Sequence, residues 1–333
     1  MADAVSKSSS PRWLATGQLH EIAIEITGDG SHLRLRAEQF LDQLAPSADP
    51  TVCSFRFALG SLDGHAEPTA LAGVRTLVQF VNVTCTLDGI WSDFRAKDGS
   101  FLRADTRAGL AWGGVSSGLL QGRPALFNDL LMAPLMEMLK ERGLYGLHAA
   151  ALTRQDRGYI FPGDANSGKT TIALGLVRRR FGYLADDKVL LKREDGRVAA
   201  LAFTHRFNID PAISRFYPEL ARLDGIAPLP GTVKRPFDVS ALYPNSFTRR
   251  CWPHAVIHVQ PAPGSTSRIA SISRTASFMR LSRQTILSFR RDRAEMHLQL
   301  LGDLVKNADS YLLENARGPE GSPDQLLDLV LRV

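Results

Sequence analysis

One octapeptide constrains the fold of this chain more than any other stretch: Gly163-Asp164-Ala165-Asn166-Ser167-Gly168-Lys169-Thr170. It fits the pattern Gly, four residues, Gly, Lys, Ser/Thr, which works only between a strand and a helix. Both neighbours are legible. Tyr159–Pro162 reads as a short strand. Thr170–Arg180 places Ile172, Ala173, Leu176 and Val177 on one helical face. The glycines let a backbone approach a polyphosphate without Cβ clashes. The loop N–H groups and the helix N-terminus then point at the anion. Lys169 would neutralise the terminal phosphates, and the Thr170 hydroxyl would go to Mg²⁺. The plain alternative is a glycine-rich turn capping an ordinary helix. A chance match in such a chain is on the order of one in a hundred, which makes that reading the weaker one.

The flanking residues extend the pattern. Tyr145–Leu152 is a continuous small and apolar run that reads as one strand with His148 inside it. Gln155–Gly158 turns the chain into the strand before the loop. Gly182–Ala185 and Val189–Leu191 are strand-like and flank Asp186-Asp187. Two adjacent carboxylates at a strand end suit metal coordination and general-base work. Alone such a pair is usually a solvated turn, and a lone His in an apolar strand is usually a satisfied core residue. Glu194-Asp195-Gly196 is the next turn, leading into Arg197–Phe203.

Three stretches together carry a family resemblance: Gly146–Leu152, Pro162–Thr171 and Tyr183–Val189. They resemble the HPr kinase/phosphorylase catalytic domain and its shorter kinase-like relatives, which share a core with the phosphoenolpyruvate carboxykinases. The resemblance covers about residues 145–203 well and the C-terminus less. It implies an α/β fold with a P-loop kinase core, preceded by a smaller α+β domain. It also implies ATP- and Mg²⁺-dependent transfer of a γ-phosphate to a hydroxyl, here the Ser of a peptide or protein. Carried over, Gly163–Thr170 and Thr171 bind the nucleotide, with Lys169 catalytic on the phosphates. Asp186 is the base and His148 its tuning partner, and Thr170 and Asp187 hold the metal. Two departures are visible. Thr171 stands where HPr kinases have an acidic residue, and their Glu-Ile-Arg-Gly-Leu-Gly stretch is missing, with Glu194 in a turn a poor substitute for its glutamate. The missing glutamate motivates a second reading, a non-catalytic ATP-binding module that regulates a partner through the first domain.

Charge sharpens the division of the chain. Residues 1–145 hold 13 Lys+Arg against 16 Asp+Glu, a balance of −3; the remaining 27 against 18 give +9 for residues 146–333. The basic excess therefore lies with the phosphate-loop motif and invites an anionic partner. Nucleic acid ranks last, because the basic residues follow no recognition motif with interleaved aromatics. With 44% hydrophobic residues the chain can pack a core, and 333 residues suggest about two domains. The expected division is a disordered tail over 1–13, an α+β domain over 14–125 and a catalytic domain over 126–333. Strands are expected at His20–Thr27, Cys53–Leu59, Leu77–Leu87 and Phe101–Ala104 in the first domain. The helix Leu126–Arg142, capped by Asn128, would open the second, with Pro134 at its start or at a bend. Residues 205–253, broken by seven prolines, read as a lid or substrate segment, the plain alternative being a poorly structured insertion. Lys234 and Arg235 there are first candidates for a phosphate or substrate clamp, with Arg206 second; each competes with a solvated-surface reading. Three scattered cysteines, no secretion-type leader and no apolar run near 20 residues give the expectation of a cytoplasmic protein without a membrane span. Self-association is left open.

Overall fold

A computed structural model describes residues 12–47, 49–62, 76–79, 82–229, 233–316 and 323–333. The expected tail over 1–13 lies outside these residues except for its last two. The described cysteines are free thiols. Among the described residues no helix is long and apolar enough to cross a membrane.

The chain is mixed α/β and divides into two compact units, Met1–Arg142 and Gly143–Val333. Among the described residues the first unit is built on an eight-stranded sheet. Its strands are β1 (Trp13–Leu19), β2 (Ile22–Gly28), β3 (Cys53–Ser61), β4 (Thr76–Gln79), β5 (Val83–Asp88), β6 (Trp91–Ala96), β7 (Phe101–Asp105) and β8 (Leu110–Val115). They lie in the order β1-β2-β3-β8-β7-β6-β5-β4. Helix α1 (Ser31–Asp42) makes the crossover that sets β2 parallel to β3. Alternating apolar residues write the core face directly, with Ile22, Ile24 and Ile26 of β2 all buried. Helices α2 (Ser117–Gly122) and α3 (Pro124–Glu141) follow.

Two expectations fail at α3. The helix begins at Pro124, with Arg123 and not Asn128 at its N-cap, because proline at the first position needs no N–H partner. It runs through Pro134, so of the two places expected for that proline the start is excluded. The boundary between the units falls after Arg142, not after 125, because α3 packs on β5, β6 and β7 and buries Phe127, Leu131 and Leu135 there.

Among the described residues the second unit holds nine strands in one connected sheet, a two-stranded hairpin and four α-helices. The strands of the large sheet are β9 (Tyr145–Leu147), β10 (Ala149–Arg154), β11 (Arg157–Pro162), β12 (Gly182–Ala185), β13 (Val189–Glu194), β14 (Arg197–Ala202), β17 (Arg250–Ala262), β18 (Arg268–Ser271) and β19 (Asp309–Ala316). The hairpin is β15 (Arg206–Ile209) with β16 (Arg235–Asp238). Helices α4 (Lys169–Arg178), α5 (Arg274–Arg283), α6 (Arg291–Asn307) and α7 (Pro323–Val330) complete it. The main path runs β12-β10-β11-β17-β14-β13-β9, and β19 adds to β17 and carries β18.

That order has a topological consequence. Consecutive strands β9 and β10 lie near opposite ends of the path, and so do β12 and β13. A single residue advances the chain only about 3.8 Å, so the two ends of the path lie side by side, and the chain steps between them twice, at His148 and over Asp186–Lys188. The crossings touch, with the Ala149 N–H donating to the Asp187 carbonyl at 3.2 Å. His148 thus sits between two strands, and the expected single strand Tyr145–Leu152 is corrected to two. Leu147 pairs with Val189 while Ala149 pairs with Pro162, so the register partner changes at His148.

The described residues of 205–253 do not form a poorly structured insertion. Phe207, Ile209, Tyr217, Leu220, Phe237 and Val239 join the same buried cluster as Phe161, Ile172 and Leu176. Each such side chain stabilises by roughly 1.5–3 kcal/mol when fully buried. The prolines are accommodated by short 3₁₀ turns such as Pro211–Arg215 and Pro218–Gly225.

Candidate functional site

The loop between β11 and α4 is shaped by its glycines for different reasons. Gly168 has φ 105°, which side chains disfavour. Gly163 is needed for space, since a Cβ there would lie 2.5 Å from the Val259 carbonyl oxygen and 2.9 Å from Ser167 Oγ. Asn166 takes a left-handed φ of 62°, tolerated by asparagine. The far side of the loop is tied down by Asn315, whose Nδ2 donates to the Ser167 carbonyl at 2.9 Å.

Lys169 opens α4 and is only 6% exposed. Its ammonium donates to the carbonyls of Gly163 at 2.6 Å and Asp164 at 2.8 Å. Burial lowers its pKa, against the pull of Asp187 and Asp186. One turn into the site, Thr170 Oγ1 donates to Asp186 Oδ1 at 3.0 Å. The second Asp186 oxygen accepts the Asn208 N–H at 2.8 Å. Asp186 is buried, and desolvation pushes its carboxyl up to about 6 although both hydrogen bonds oppose that.

Asp187, in the same bend between β12 and β13, lies toward solvent where Asp186 is buried. Its side chain is 59% exposed and its Oδ1 lies 3.1 Å from His148 Nε2. Burial of the surrounding pocket would raise its pKa, but the His148 bond and charge outweigh that and hold it down at about 2. The expected pairing of His148 with Asp186 is therefore corrected: the crossing geometry gives His148 to Asp187.

Of the clamp candidates, Lys234 is electrostatically coupled to Lys169, Asp186 and Asp187. Arg206 and Arg235 lie on the β15–β16 hairpin, at pairing positions Arg206↔Asp238 and Ile209↔Arg235. The Arg206 carbonyl accepts from the Tyr183 hydroxyl at 3.0 Å. Tyr183 also stacks on Phe207 with centroids 4.3 Å apart, which fixes the hairpin so that the Asn208 N–H meets Asp186. Thr171 gives its carbonyl to the Tyr217 hydroxyl, a structural bond. Glu194 lies away from the site, 3.3 Å from Arg250 and 3.4 Å from Lys192.

Three contributors carry no local sequence signal. Asn208 acts through its backbone. Asn315 approaches from 148 residues away. Gln284, at the end of α5, donates from Nε2 to Asp164 Oδ1 at 2.7 Å and accepts the His148 N–H on its carbonyl at 2.8 Å. It thereby joins the loop to the histidine crossing.

Among the described residues no group of three or more His, Cys, Asp and Glu is arranged to hold a metal. The oxygens at hand suit a different arrangement. Thr170 Oγ1 and the Asp186 carboxylate already converge beside the loop. Mg²⁺ is commonly held by one or two such groups, its other positions going to water and substrate phosphates.

A scan against protein-family models and a search of curated proteins find no match. Among solved structures, the HPr(Ser) kinase/phosphatase from Coxiella burnetii is similar at 16% identity and a TM-score of 0.33, over 56% of this chain and 88% of that one. At this identity and TM-score the likeness carries no functional weight.

Proposed function

We propose that the second unit is an ATP-dependent phosphotransferase that phosphorylates a hydroxyl, the Ser of a peptide or protein. The observation that carries this reading is the convergence of Lys169, Thr170 and Asp186 at the loop with the Asp187–His148 pair on its open side. Lys169 would exchange its two carbonyl bonds for phosphate oxygens, where its charge is worth more. Lys234 would add a second positive charge there.

The bonding pattern favours exchanging the two aspartate roles expected from sequence. Thr170 and Asp186 would hold Mg²⁺, whose contribution is to neutralise charge on the transferring group. Asp187, solvent-facing and held by His148, would orient the acceptor hydroxyl and take its proton. Phosphoryl transfer asks more for positioning than for a strong base, so a low carboxylate pKa is tolerable.

The full chain incubated with Mg-ATP and Ser-containing peptides should give phosphopeptide, lost at least 10²-fold in Lys169→Ala. No phosphopeptide and no ADP release at millimolar Mg-ATP, with ATP still bound, would sink the enzyme reading. Glu194 is engaged with Lys192 and Arg250 away from the loop and does not supply the missing glutamate, which supports the second reading, a nucleotide-sensing module. That outcome is its signature.

A further inference from the structure

At the other end of the β10–β11 hairpin from the phosphate loop lies a separate cavity of about 850 Å³. The hairpin spans five residues between its Ala149–Pro162 and Arg154–Arg157 pairs, about 17 Å at strand rise. The cavity therefore does not serve the phosphate loop. Gly182 is among its lining residues, and Thr153 and Thr248 close in there: a Cβ would lie 2.5 Å from Thr248 Oγ1 and 2.7 Å from Thr153 Cγ2.

Its walls carry side chains that local backbone preference would not choose. Seven described non-glycine residues have positive φ, and three of them line this one cavity: Gln155 at 50°, Asp156 at 63° and Arg180 at 67°. Two-residue hairpin turns favour Asn-Gly, and the position after a helix favours glycine. The turn and the helix end thus carry side chains at the cavity where Asn-Gly or glycine would carry little. Two guanidiniums, those of Arg154 and Arg180, front the cavity, and among the described residues neither forms an ion pair. Arg154 instead lies over the Phe181 ring at 5.3 Å. A third, Arg250, is offset by Glu194. The cavity also has an aromatic wall, Trp252, braced by Arg197 4.6 Å over its ring; Arg197 is not among the lining residues.

We infer that this cavity is a second ligand site, built for a small molecule that joins a flat ring to a phosphate or carboxylate head. Arg154 and Arg180 take the head in charge-assisted bonds, with the Thr153 and Thr248 hydroxyls beside them. Trp252 takes the ring. A volume of this size suits a ligand of that class.

Trp252 is the single tryptophan of the second unit, the others being Trp13, Trp91 and Trp112. Titration of the full chain with adenosine 5′-monophosphate and with benzoate, excited at 295 nm, should change its emission with saturation. Adenosine, the same ring without a head, and inorganic phosphate, a head without a ring, should bind at least tenfold more weakly. The paired variant Arg154→Gln/Arg180→Gln should lose at least tenfold in affinity, and Trp252→Phe should lose the signal. Lys169→Ala, which disables the phosphate loop, should leave the titration unchanged, so this site and the proposed phosphotransfer site fail separately. Which of the two anions binds tighter identifies the head. No saturable signal up to 10 mM, equal binding of adenosine, an unaffected arginine pair, or loss in Lys169→Ala each overturns the inference. So does a Glu-rich hexapeptide that binds more tightly than either small anion.

Discussion

Buried charge is handled in opposite ways in the two units. In the first, Glu137 and Lys140 on α3 are each about 3% exposed and bonded to one another. Asp93, equally buried, is gripped by Arg103 through two bonds of 2.6 and 2.7 Å. Each charge there has a partner of opposite sign. In the second, Lys169 donates to carbonyls and Asp186 accepts from a hydroxyl and a backbone N–H. The partners are neutral dipoles, although the two charges feel one another at a distance. Dipoles satisfy hydrogen bonds while leaving charge uncompensated, and uncompensated buried charge is what an incoming anion and its counter-ion can exploit. The first pattern is closed and the second is poised.

The contrast breaks most visibly at the two lysines. Lys140→Ala deprives Glu137 of its buried counter-charge and should destabilise by about 3 kcal/mol or more, read as a lower urea midpoint. Lys169→Ala removes a lysine of similar burial, yet frees only carbonyl groups at an open loop. It should cost under about 1 kcal/mol in the same assay while reducing ATP affinity at least 10²-fold. Equal destabilisation by both would show that Lys169 is an ordinary structural charge.

Asp186 sharpens the point next. An acid whose folded pKa is raised from 3.8 to about 6 loses native stability as pH climbs through that window, because the unfolded chain releases the proton first. The ionised carboxylate therefore costs the native state on the order of 3 kcal/mol at pH 7. Asp186→Asn can still accept from Asn208 and offer its amide to Thr170. Without metal or nucleotide it should raise the neutral-pH urea midpoint, by up to about 2 kcal/mol, and flatten its pH dependence between pH 4 and 6. A variant less stable than the parent at pH 7 would mean that the site is optimised for stability.

How much of this was legible in the sequence follows from chain distance. The β11–loop–α4 unit was readable because its residues are contiguous; α4 buries the expected Ile172, Ala173, Leu176 and Val177, and Leu174 and Gly175 besides, so it is covered on more than one face. His148 was recognised but misplaced, because an apolar run says nothing about which strands it pairs with, and the register switch at 148 is a property of the whole sheet. Asn208, Gln284 and Asn315 were not legible at all. They reach the loop or its aspartate from 22, 120 and 148 residues away, through a backbone N–H or a common amide. The proline count misled over 205–253, since proline breaks regular elements without preventing burial, as Phe207 and Phe237 demonstrate.

The smallest effect tests whether poised burial is confined to the site. His258, 3% exposed, shares a 2.8 Å bond with Ser277 Oγ on α5. Burial, with Arg280 adding to it, pulls its pKa from 6.5 down to about 4. Above pH 6.5 the imidazole is neutral in both states and costs nothing. As pH falls below 6.5 the unfolded chain takes up the proton and the native state does not, so stability drops until about pH 4, by at most about 3 kcal/mol. His258→Gln keeps a partner for Ser277 without a titrating group, so its stability should fall less between pH 6.5 and 4.5. The difference should be about 2 kcal/mol, because the opposing Asp186 contribution is common to both curves and cancels. A parallel pair of curves would mean that this imidazole charges readily in the native state. The buried histidine would then behave like a solvated imidazole and not like a buried group without a counter-charge.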